Sequence, residues 1–222
     1  MFQPEPRFAR IAALMADPTR ARMLAVLLSG EYRTAGELAS AADVTPQAAT
    51  TQLAQLVEGG LLTMHPQGRH KYYALADADI AHALEALSLV AERDAVADRW
   101  RTPAYQPLKH ARRCYGHLAG ELGVAHFQGL LRRGFLSDQP DGLVLTDTGH
   151  RWLTDLGVKP PGSGRYAYRC LDWSERRDHL AGTLAKAMLD HYMRQGWVVA
   201  GETSRALTLT REGRQWFAAL TG

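Results

Sequence analysis

Residues 34–75 constrain the fold more than any other part of the chain. Thr34 begins a Thr-Ala-Gly-Glu capping box, and Thr45 stands directly before a proline, so both residues predict the start of a helix. The pair Gly59-Gly60 predicts the end of the second helix. An apolar run then leads to Pro-Gln-Gly and to a tyrosine-containing run, which is the pattern of two strands joined by a turn. The predicted order is therefore helix, tight turn, helix and β-hairpin.

The second helix of this segment carries the side chains that point to a function. Leu53, Leu56 and Val57 predict its buried face. The rest of the helix has uncharged hydrogen-bonding groups and no acid before Glu58, whereas a solvated face is normally rich in Lys and Glu. Such groups suit base edges and phosphates in a DNA groove, and the alternative is a merely polar surface helix. The candidate DNA-binding positions here are Thr45, Gln47, Ala48, Thr50, Thr51, Gln52 and Gln55.

The hairpin that follows has a basic tip. Arg69, His70 and Lys71 come directly after the predicted turn, where they are placed to grip phosphates or to enter the adjacent minor groove. A helix-turn-helix followed by such a hairpin is the plan of a winged helix-turn-helix, whose second helix enters the major groove. Double-stranded DNA is therefore the predicted partner.

Several motifs in residues 7–97 resemble the ArsR family of bacterial winged-helix repressors. They are Ala16-Asp17-Pro18-Thr19-Arg20, Glu37-Leu38-Ala39, Leu53-x-x-Leu56, Glu58-Gly59-Gly60-Leu61-Leu62 and Gly68-Arg69-x-Lys71-Tyr72-Tyr73-x-Leu75. The resemblance implies a homodimeric repressor that binds a near-palindromic operator and is released by an inducer. The family's Ser-x-His-Leu in the recognition helix is Thr50-x-Gln52-Leu53 here. That change keeps hydrogen-bonding capacity and implies a different preferred DNA sequence.

The net charge of the first half does not support DNA binding, so the positions of individual basic side chains would have to do so. Residues 1–100 hold 9 Lys and Arg against 12 Asp and Glu, a net charge of −3, whereas residues 101–222 hold 17 against 11. The basic second half could add phosphate contacts or attract an acidic effector. In the acidic first half, the basic side chains would have to share one face. These side chains are Arg20, Arg22, Arg33, Arg69 and Lys71.

The chain after the hairpin predicts a long helix and then a domain boundary. Asp77 or Asp79 caps a helix with an apolar stripe, which predicts a dimer seam, packing onto its own domain, or both. That stripe consists of Ile80, Leu84, Leu87, Val90 and Val96. Residues 101–107 contain two prolines and predict a linker. We therefore expect a DNA-binding and dimerisation domain over 1–99 and a regulatory domain over 100–222.

The second half contains an internal repeat. His117-Leu118-Ala119-Gly120 recurs as His179-Leu180-Ala181-Gly182, and a Leu-x-Leu-Thr-x-x-Gly-x-x-Trp motif ends at Trp152 and again at Trp216. Each unit, about 112–157 and 174–220, predicts helix, Gly turn, strand, turn, strand and a short helix, as in the latter part of a winged helix. Neither has a Thr/Gln-rich recognition helix before it. The predicted fold class is mainly α with small β-hairpins, α+β overall, with both Trp residues in the core.

The candidate sensor residues are Cys114, His117, Cys170 and His179. Metal sensors of the ArsR family often carry thiols on the third helix, and residues 36–41 have none, so the sensor is expected beyond residue 100. If residues 112–117 are helical, Cys114 and His117 share one face. Three interpretations stay open: two buried apolar cysteines, thiols that react with an oxidant or a persulfide, or tetrahedral metal ligands. In the second interpretation, neighbouring basic residues favour the thiolates; these are Arg112, Arg113, His117 and Arg169. A small organic inducer is compatible with all three, and the cofactor is a metal ion or none.

The sequence lacks the common motifs of enzymes. The sequence has no Gly-rich phosphate loop, Gly-x-Ser-x-Gly elbow or paired-carboxylate motif, so a regulator that is not an enzyme is expected. The alternative is a DNA-binding module fused to a small enzyme or a protein-interaction domain. No apolar run approaches the ~20 residues that cross a bilayer, and residues 1–10 lack an apolar signal core. Cytoplasmic localisation without a membrane partner is therefore expected.

Overall fold

A computed structural model describes residues 8–91, 106–159, 166–201 and 204–222. Its mixture of helices and short antiparallel strands confirms the predicted α+β class. The chain divides into two compact units between Leu84 and Glu85. The boundary predicted at residues 99 and 100 lies outside the described residues and stays a prediction. The two units, called unit 1 and unit 2, are described separately.

Unit 1 has the predicted order of elements. It contains α1 (Phe8–Met15), α2 (Pro18–Leu27), β1 (Arg33–Thr34), α3 (Ala35–Ala42), α4 (Pro46–Glu58), β2 (Leu62–Gln67) and β3 (His70–Leu75), and α5 (Ala78–Ala91) runs across the division.

Side-chain caps start the helices of unit 1 where the sequence predicts them. The Asp17 carboxylate accepts the backbone N–H of Arg20 at 2.9 Å, and α2 has a proline in its first turn. Thr34 and Glu37 form the predicted capping box of α3. Thr45 Oγ1 accepts the N–H of Ala48 at 3.2 Å and caps α4. These caps satisfy backbone donors that have no partner within their own helix.

The sheet of unit 1 has one more strand and a longer hairpin than the sequence pattern indicates. Its antiparallel order is β1-β3-β2, and the two-residue β1, which was not predicted, pairs Arg33 with Tyr73. Pro66 was expected in the hairpin turn, but it lies in β2 opposite Lys71. The register therefore continues to the end of β2, and Gly68, with a φ of 59°, lies in the turn itself. A proline is tolerated in β2 because this strand is at the edge of the sheet.

The core of unit 1 lies under the inner face of α4. Leu53 and Leu56 are fully buried, as the apolar spacing predicts, but Val57 is only half-buried. Ala49, which was not predicted to face inward, is also fully buried. These three buried residues of α4 join further buried residues, Met23, Leu24, Leu27, Leu38, Ala42, Leu61, Leu62, Tyr73 and Leu75. The outer face of α4 is thereby directed away from this core.

Unit 2 contains the order hairpin, helix, hairpin, helix twice. After α6 (Gln106–His110) come β4 (Arg112–Cys114), β5 (His117–Ala119), α7 (Gly120–Arg132), β6 (Leu136–Gln139), β7 (Gly142–Leu145) and α8 (Asp147–Leu156). The second set is β8 (Tyr168–Leu171), β9 (Asp178–Ala181), α9 (Thr183–Arg194), β10 (Val198–Ala200), β11 (Leu207–Leu209) and α10 (Arg211–Thr221).

The first hairpin of each set was not predicted, and its presence corrects the expected helix. Residues 112–119 form the antiparallel pair β4–β5, so Cys114 and His117 are cross-strand partners and do not share a helix face. Tyr115 and Gly116 both have positive φ, as a tight two-residue hairpin turn requires. His179 likewise lies in β9, which means that neither histidine is a helix-start residue.

A close backbone approach explains the Thr-x-x-Gly motif of both sets. Thr146 and Thr210 cap α8 and α10 by accepting the N–H of Gly149 and Gly213 at 3.0 Å. A Cβ added to Gly149 would lie 2.1 Å from the backbone oxygen of Phe135, and one added to Gly213 would lie 2.0 Å from that of Trp197. Only glycine fits at either position without movement of the backbone.

One hydrophobic core joins the two sets of elements. Phe127, Leu184 and Phe217 are buried in this core, and Tyr192 is fully buried. Trp152 and Trp216 are only partly buried, but they pack against the core with ring centroids 6.3 Å apart in a stacked arrangement. The repeats therefore share their apolar faces, since half of the unit alone would have little core.

Candidate functional site

The outer face of α4 presents the predicted DNA-binding positions. Gln47, Ala48, Thr50, Thr51 and Gln55 are exposed, as is the cap residue Thr45, while Gln52 is half-buried. Two hydroxyls already donate within the helix, from Thr50 to the Pro46 carbonyl at 2.9 Å and from Thr51 to the Gln47 carbonyl at 3.4 Å. Their oxygens keep acceptor capacity toward solvent.

Arg20 holds the two glutamines of this face. Its Nη1 donates to Gln52 Oε1 at 2.8 Å and to Gln55 Oε1 at 2.7 Å. Its Nε donates to the Leu14 carbonyl at 2.6 Å, which ties α1 to the same guanidinium. The glutamine oxygens accept from Arg20, so their amide groups retain two N–H donors each for an external acceptor. No spacing pattern in the sequence indicates this role, because Arg20 and Gln52 are 32 positions apart.

The expected single basic face of unit 1 is only partly present. Arg33 pairs with Glu31 at 2.6 Å and with Glu37 at 3.4 Å. Arg22 donates to the Ala42 carbonyl at 3.1 Å. Local carboxylates thus partly neutralise Arg33, and a shared basic face of all five side chains stays a prediction.

The tip of the β2–β3 hairpin is exposed and basic. Arg69, His70 and Lys71 all lie on the surface, and Arg69 Nε donates to His70 Nε2 at 3.1 Å. The long pairing of β2 with β3 extends this tip away from the core. Its charges can therefore reach phosphates without any change in the fold.

The four candidate sensor residues of unit 2 come together in one buried group, called the Cys-His cluster. Its members, Cys114, His117, Cys170 and His179, are 1%, 3%, 7% and 0% exposed. Cys114 faces His117 across β4–β5, and Cys170 faces His179 across β8–β9. One possible ligand atom from each residue lies within 4.8 Å of the other three, and the two sulfurs are 4.0 Å apart. The repeat therefore brings two equivalent Cys/His pairs face to face.

A buried carboxylate stands beside this cluster, and it was missed at the sequence level. Asp172 lies in the loop between β8 and β9, with Oδ2 3.3 Å from His179 Nδ1. The same oxygen accepts the N–H of Gly120 at 2.7 Å, and Oδ1 accepts from fully buried Arg112 at 2.8 Å. The only sequence signal is that this loop is longer than the Tyr115-Gly116 turn of the first hairpin.

Electrostatic interactions shift the pKa values of the cluster. The hydrogen bond with Cys114 and then the interaction with His179 lower the pKa of Cys170 to about 5, although burial opposes this. The same hydrogen bond, together with burial, raises the pKa of Cys114 well above its ordinary value. Burial disfavours charged His179, but Asp172 and Cys170 outweigh it and raise the pKa of His179 to about 9. The pair thus favours a Cys170 thiolate beside a protonated His179.

Burial alone would also raise the pKa of Asp172. His179 and Arg112 outweigh this effect and hold the pKa of that carboxyl well below its usual range. Asp172 is therefore a fixed negative charge that orients His179.

The arginines predicted to activate the thiols have other partners. Arg112 pairs with Asp172, and Arg113 Nη2 lies 2.8 Å from Met193 Sδ. Arg169 forms ion pairs with Asp138 and Asp178. The hydrogen bond with Cys114 and then the interaction with His179 are the main causes that lower the pKa of Cys170.

Comparison with known proteins identifies the family. Residues 15–65 match a family model described as a helix-turn-helix domain. YdfF of Bacillus subtilis (strain 168), described as an uncharacterized HTH-type transcriptional regulator, is 35% identical over 213 residues, covering 94% of each chain. The chain belongs to the HTH-type transcriptional regulators. The predicted class of transcriptional regulator is thus confirmed over nearly the whole length of the chain.

Two further similarities each cover less than half of the regulator. CmtR of Mycobacterium bovis, an HTH-type transcriptional regulator, is 39% identical over 80 residues, which cover 36% of this chain and 67% of CmtR. A solved DNA-binding domain of Mb0332 from Mycobacterium bovis aligns with a TM-score of 0.37 and 24% identity, covering 42% of this chain and 94% of that chain. That domain is described as a homodimeric winged helix-turn-helix and as part of a possible ArsR-family regulator.

The described helices are short or polar compared with a membrane span. Among the helices of residues 8–91, 106–159, 166–201 and 204–222, none is both long and apolar enough to cross a bilayer.

Proposed function

We propose that this regulator is a homodimeric, cytoplasmic repressor of the ArsR type that binds a near-palindromic operator through α4 and the β2–β3 hairpin. The observation that carries the proposal is the outer face of α4. It is an exposed surface of amides, hydroxyls and the methyl groups of Ala48 and Ala54, with no charged side chain before Glu58, and it lies on the second helix of a helix-turn-helix.

The glutamines of α4 are proposed to bind base edges in the major groove. An amide can contact adenine with both its donor and its acceptor. Arg20 already holds the oxygens of Gln52 and Gln55, so these two side chains would present mainly their N–H donors. Gln47 has no such restraint among its described contacts and could use both groups. Thr45, Thr50 and Thr51 would contact phosphates or bases, and the Ala48 methyl suits a thymine methyl.

The β2–β3 hairpin is proposed to contribute phosphate contacts. Arg69, His70 and Lys71 are exposed at its tip, where the strands project from the core of unit 1. Phosphate contacts fix the position of a protein on the duplex and make its affinity dependent on salt. Since unit 1 is acidic overall, these few cations would supply much of that dependence.

Helix α5 supports the proposed dimer. Leu87 and Val90 lie three positions apart on this helix and are 52% and 53% exposed. Residues at this spacing share one helix face, and a second copy of α5 would cover both. A two-fold dimer would present two copies of α4, which matches a near-palindromic operator.

Unit 2 is proposed to act as the sensor that controls release from DNA. Its buried polar groups are concentrated at the Cys-His cluster, where the two repeats meet. Unit 1 has no cysteine. A thiol-dependent signal would therefore have to act through unit 2.

A mobility-shift titration of a duplex from the regulator's own upstream region tests DNA binding. We expect the double variant Gln52→Ala/Arg69→Ala to bind at least about tenfold more weakly, because a base contact and a phosphate contact are lost. Gln139→Ala/Arg151→Ala removes the same side-chain types from exposed positions of unit 2 and should bind like the wild type. Equal affinity of all three proteins would show that this surface does not bind DNA.

A further inference from the structure

We propose that the Cys-His cluster is a tetrahedral binding site for a divalent cation of the zinc class. Its ligands would be the sulfurs of Cys114 and Cys170 and one ring nitrogen from each of His117 and His179. The regulatory consequence of this inference rests on the proposed sensor role of unit 2, whereas the binding itself does not.

The distances between the four side chains suit one ion. A tetrahedral zinc with bonds of about 2.3 Å to sulfur and 2.0 Å to nitrogen places two sulfurs about 3.8 Å apart and two nitrogens about 3.4 Å apart. The sulfurs of Cys114 and Cys170 are 4.0 Å apart, and every pair of ligand atoms lies within 4.8 Å. Small side-chain rotations would therefore close the group around an ion.

The topology also suits a metal centre. Each hairpin contributes one cysteine and the histidine directly opposite it, from β4–β5 in one repeat and β8–β9 in the other. The two imidazole rings have centroids 5.1 Å apart, so the donors of both hairpins converge. A disulfide would need only the two sulfurs, at about 2.05 Å. Two converging imidazoles are the feature that a metal explains and a disulfide does not.

Charge balance is compatible with a bound divalent cation at this depth. Cys114 and His179 are almost completely buried, where an uncompensated charge is costly. Two thiolates, two neutral imidazoles and one divalent cation sum to zero net charge. A mixed sulfur and nitrogen set with tetrahedral geometry selects zinc, or cobalt in its place, over calcium or magnesium, which prefer oxygen.

Asp172 supplies the outer contact that metal-bound histidines usually have. Its Oδ2 lies 3.3 Å from His179 Nδ1, which leaves Nε2 as the ligand atom of that ring. The carboxylate is itself fixed by the backbone N–H of Gly120 and by Arg112. A carboxylate, a histidine and a metal in this order fix the ring tautomer and strengthen the ligand.

Metal binding should be measured on the full chain, reduced and stripped with a chelator. Titration with Co(II) should give one ion per chain and the intense visible absorption of tetrahedral thiolate-bound cobalt. Zn(II) should displace it, in keeping with the usual order of affinities. Saturating zinc should raise Tm by roughly 5–10 °C. Absence of a one-to-one tetrahedral cobalt complex would overturn the proposal, as would a Cys114–Cys170 disulfide that persists under reductant.

Variants locate the site. Cys114→Ser and His179→Gln should each weaken cobalt binding by more than the roughly 10–100-fold that outer-shell changes cost. His150→Gln removes an exposed histidine of α8 and should bind like the wild type. Full binding by both cluster variants would refute the assignment. If a variant does not fold, alkylation of the wild type tests the metal site. Zinc must protect both thiols from alkylation, and a chelator must remove that protection.

The DNA titration separates this inference from the proposed function. A tetrahedral cobalt complex in a chain that retards no duplex would support the metal site and contradict the repressor. If operator affinity changes at least fivefold between the zinc-loaded and stripped wild type, but not in Cys114→Ser, the ion regulates DNA binding. Equal affinity in both states would overturn the regulatory consequence and leave the metal site intact.

Discussion

Helix α4 and the paired hairpins of unit 2 carry their functional side chains in opposite environments. On α4, Thr50 and Gln55 are exposed and lie above a buried apolar face. In the hairpins, Cys114 and His179 are buried and packed among other elements. Substitutions among exposed side chains can change the ligand preference at little cost in unfolding free energy. Substitutions among buried side chains also change the unfolding free energy. Substitutions in the buried set should therefore affect stability more than substitutions on the outer face of α4.

The largest loss of stability should come from Asp172→Ala. The change leaves Arg112, which is fully buried, without its carboxylate partner. Breaking a buried ion pair on one side costs about 3–5 kcal/mol of unfolding free energy. Urea unfolding in the presence of chelator measures this without a metal contribution. The matched control is Asp138→Ala, whose partner Arg169 is exposed, and it should cost about 0–1 kcal/mol. Similar losses for both variants would contradict the contrast.

A second effect concerns two glycines in different surroundings. Gly213→Ala should destabilise the chain by about 1–3 kcal/mol, because the new Cβ would lie 2.0 Å from the Trp197 carbonyl oxygen in unit 2. Gly36→Ala in α3 meets only Thr34 Oγ1 at 4.0 Å and should stabilise by about 0.5–1 kcal/mol. Thermal unfolding of the two variants should shift in opposite directions, and a shift in the same direction would count against the close approach at Gly213.

The smallest effect on stability should come from the DNA-facing surface. Gln47→Ala on α4 should change unfolding free energy by less than about 0.5 kcal/mol, since the side chain is exposed. It should nevertheless weaken operator binding several-fold. Leu53→Ala, on the buried face of the same helix, should cost about 2–5 kcal/mol in urea unfolding. A Gln47→Ala variant with unchanged affinity would remove this residue from the proposed interface.

The sequence was sufficient to predict the helices and the hairpin of unit 1, but not β1, because the signals of these elements are local. The caps at Asp17, Thr34 and Thr45 act on backbone groups three residues away, and the apolar spacing of Leu53 and Leu56 reports one buried face. The role of Arg20 could not be predicted in this way. Its contacts with Gln52 and Gln55 depend on how three helices pack, and no local pattern encodes that packing.

Unit 2 shows the limit of the same reasoning. The repeated His-Leu-Ala-Gly and Thr-x-x-Gly motifs are visible in the sequence, yet the hairpin of residues 112–119 was not predicted. With a two-residue turn and strands of three residues, β4–β5 is too short to show a period of two. The four residues of the Cys-His cluster were named as candidates, but only the cross-strand register places them together.

Hydrogen exchange of the full chain, with and without a duplex that it retards, tests the division of roles most directly. We expect DNA to slow backbone exchange at α4 and at the tip of the β2–β3 hairpin, residues 45–71. The double variant Gln52→Ala/Arg69→Ala should show no such protection at the same DNA concentration. Protection confined to the hairpins and helices of unit 2, with residues 45–71 unchanged, would show that unit 2 binds the DNA in place of α4.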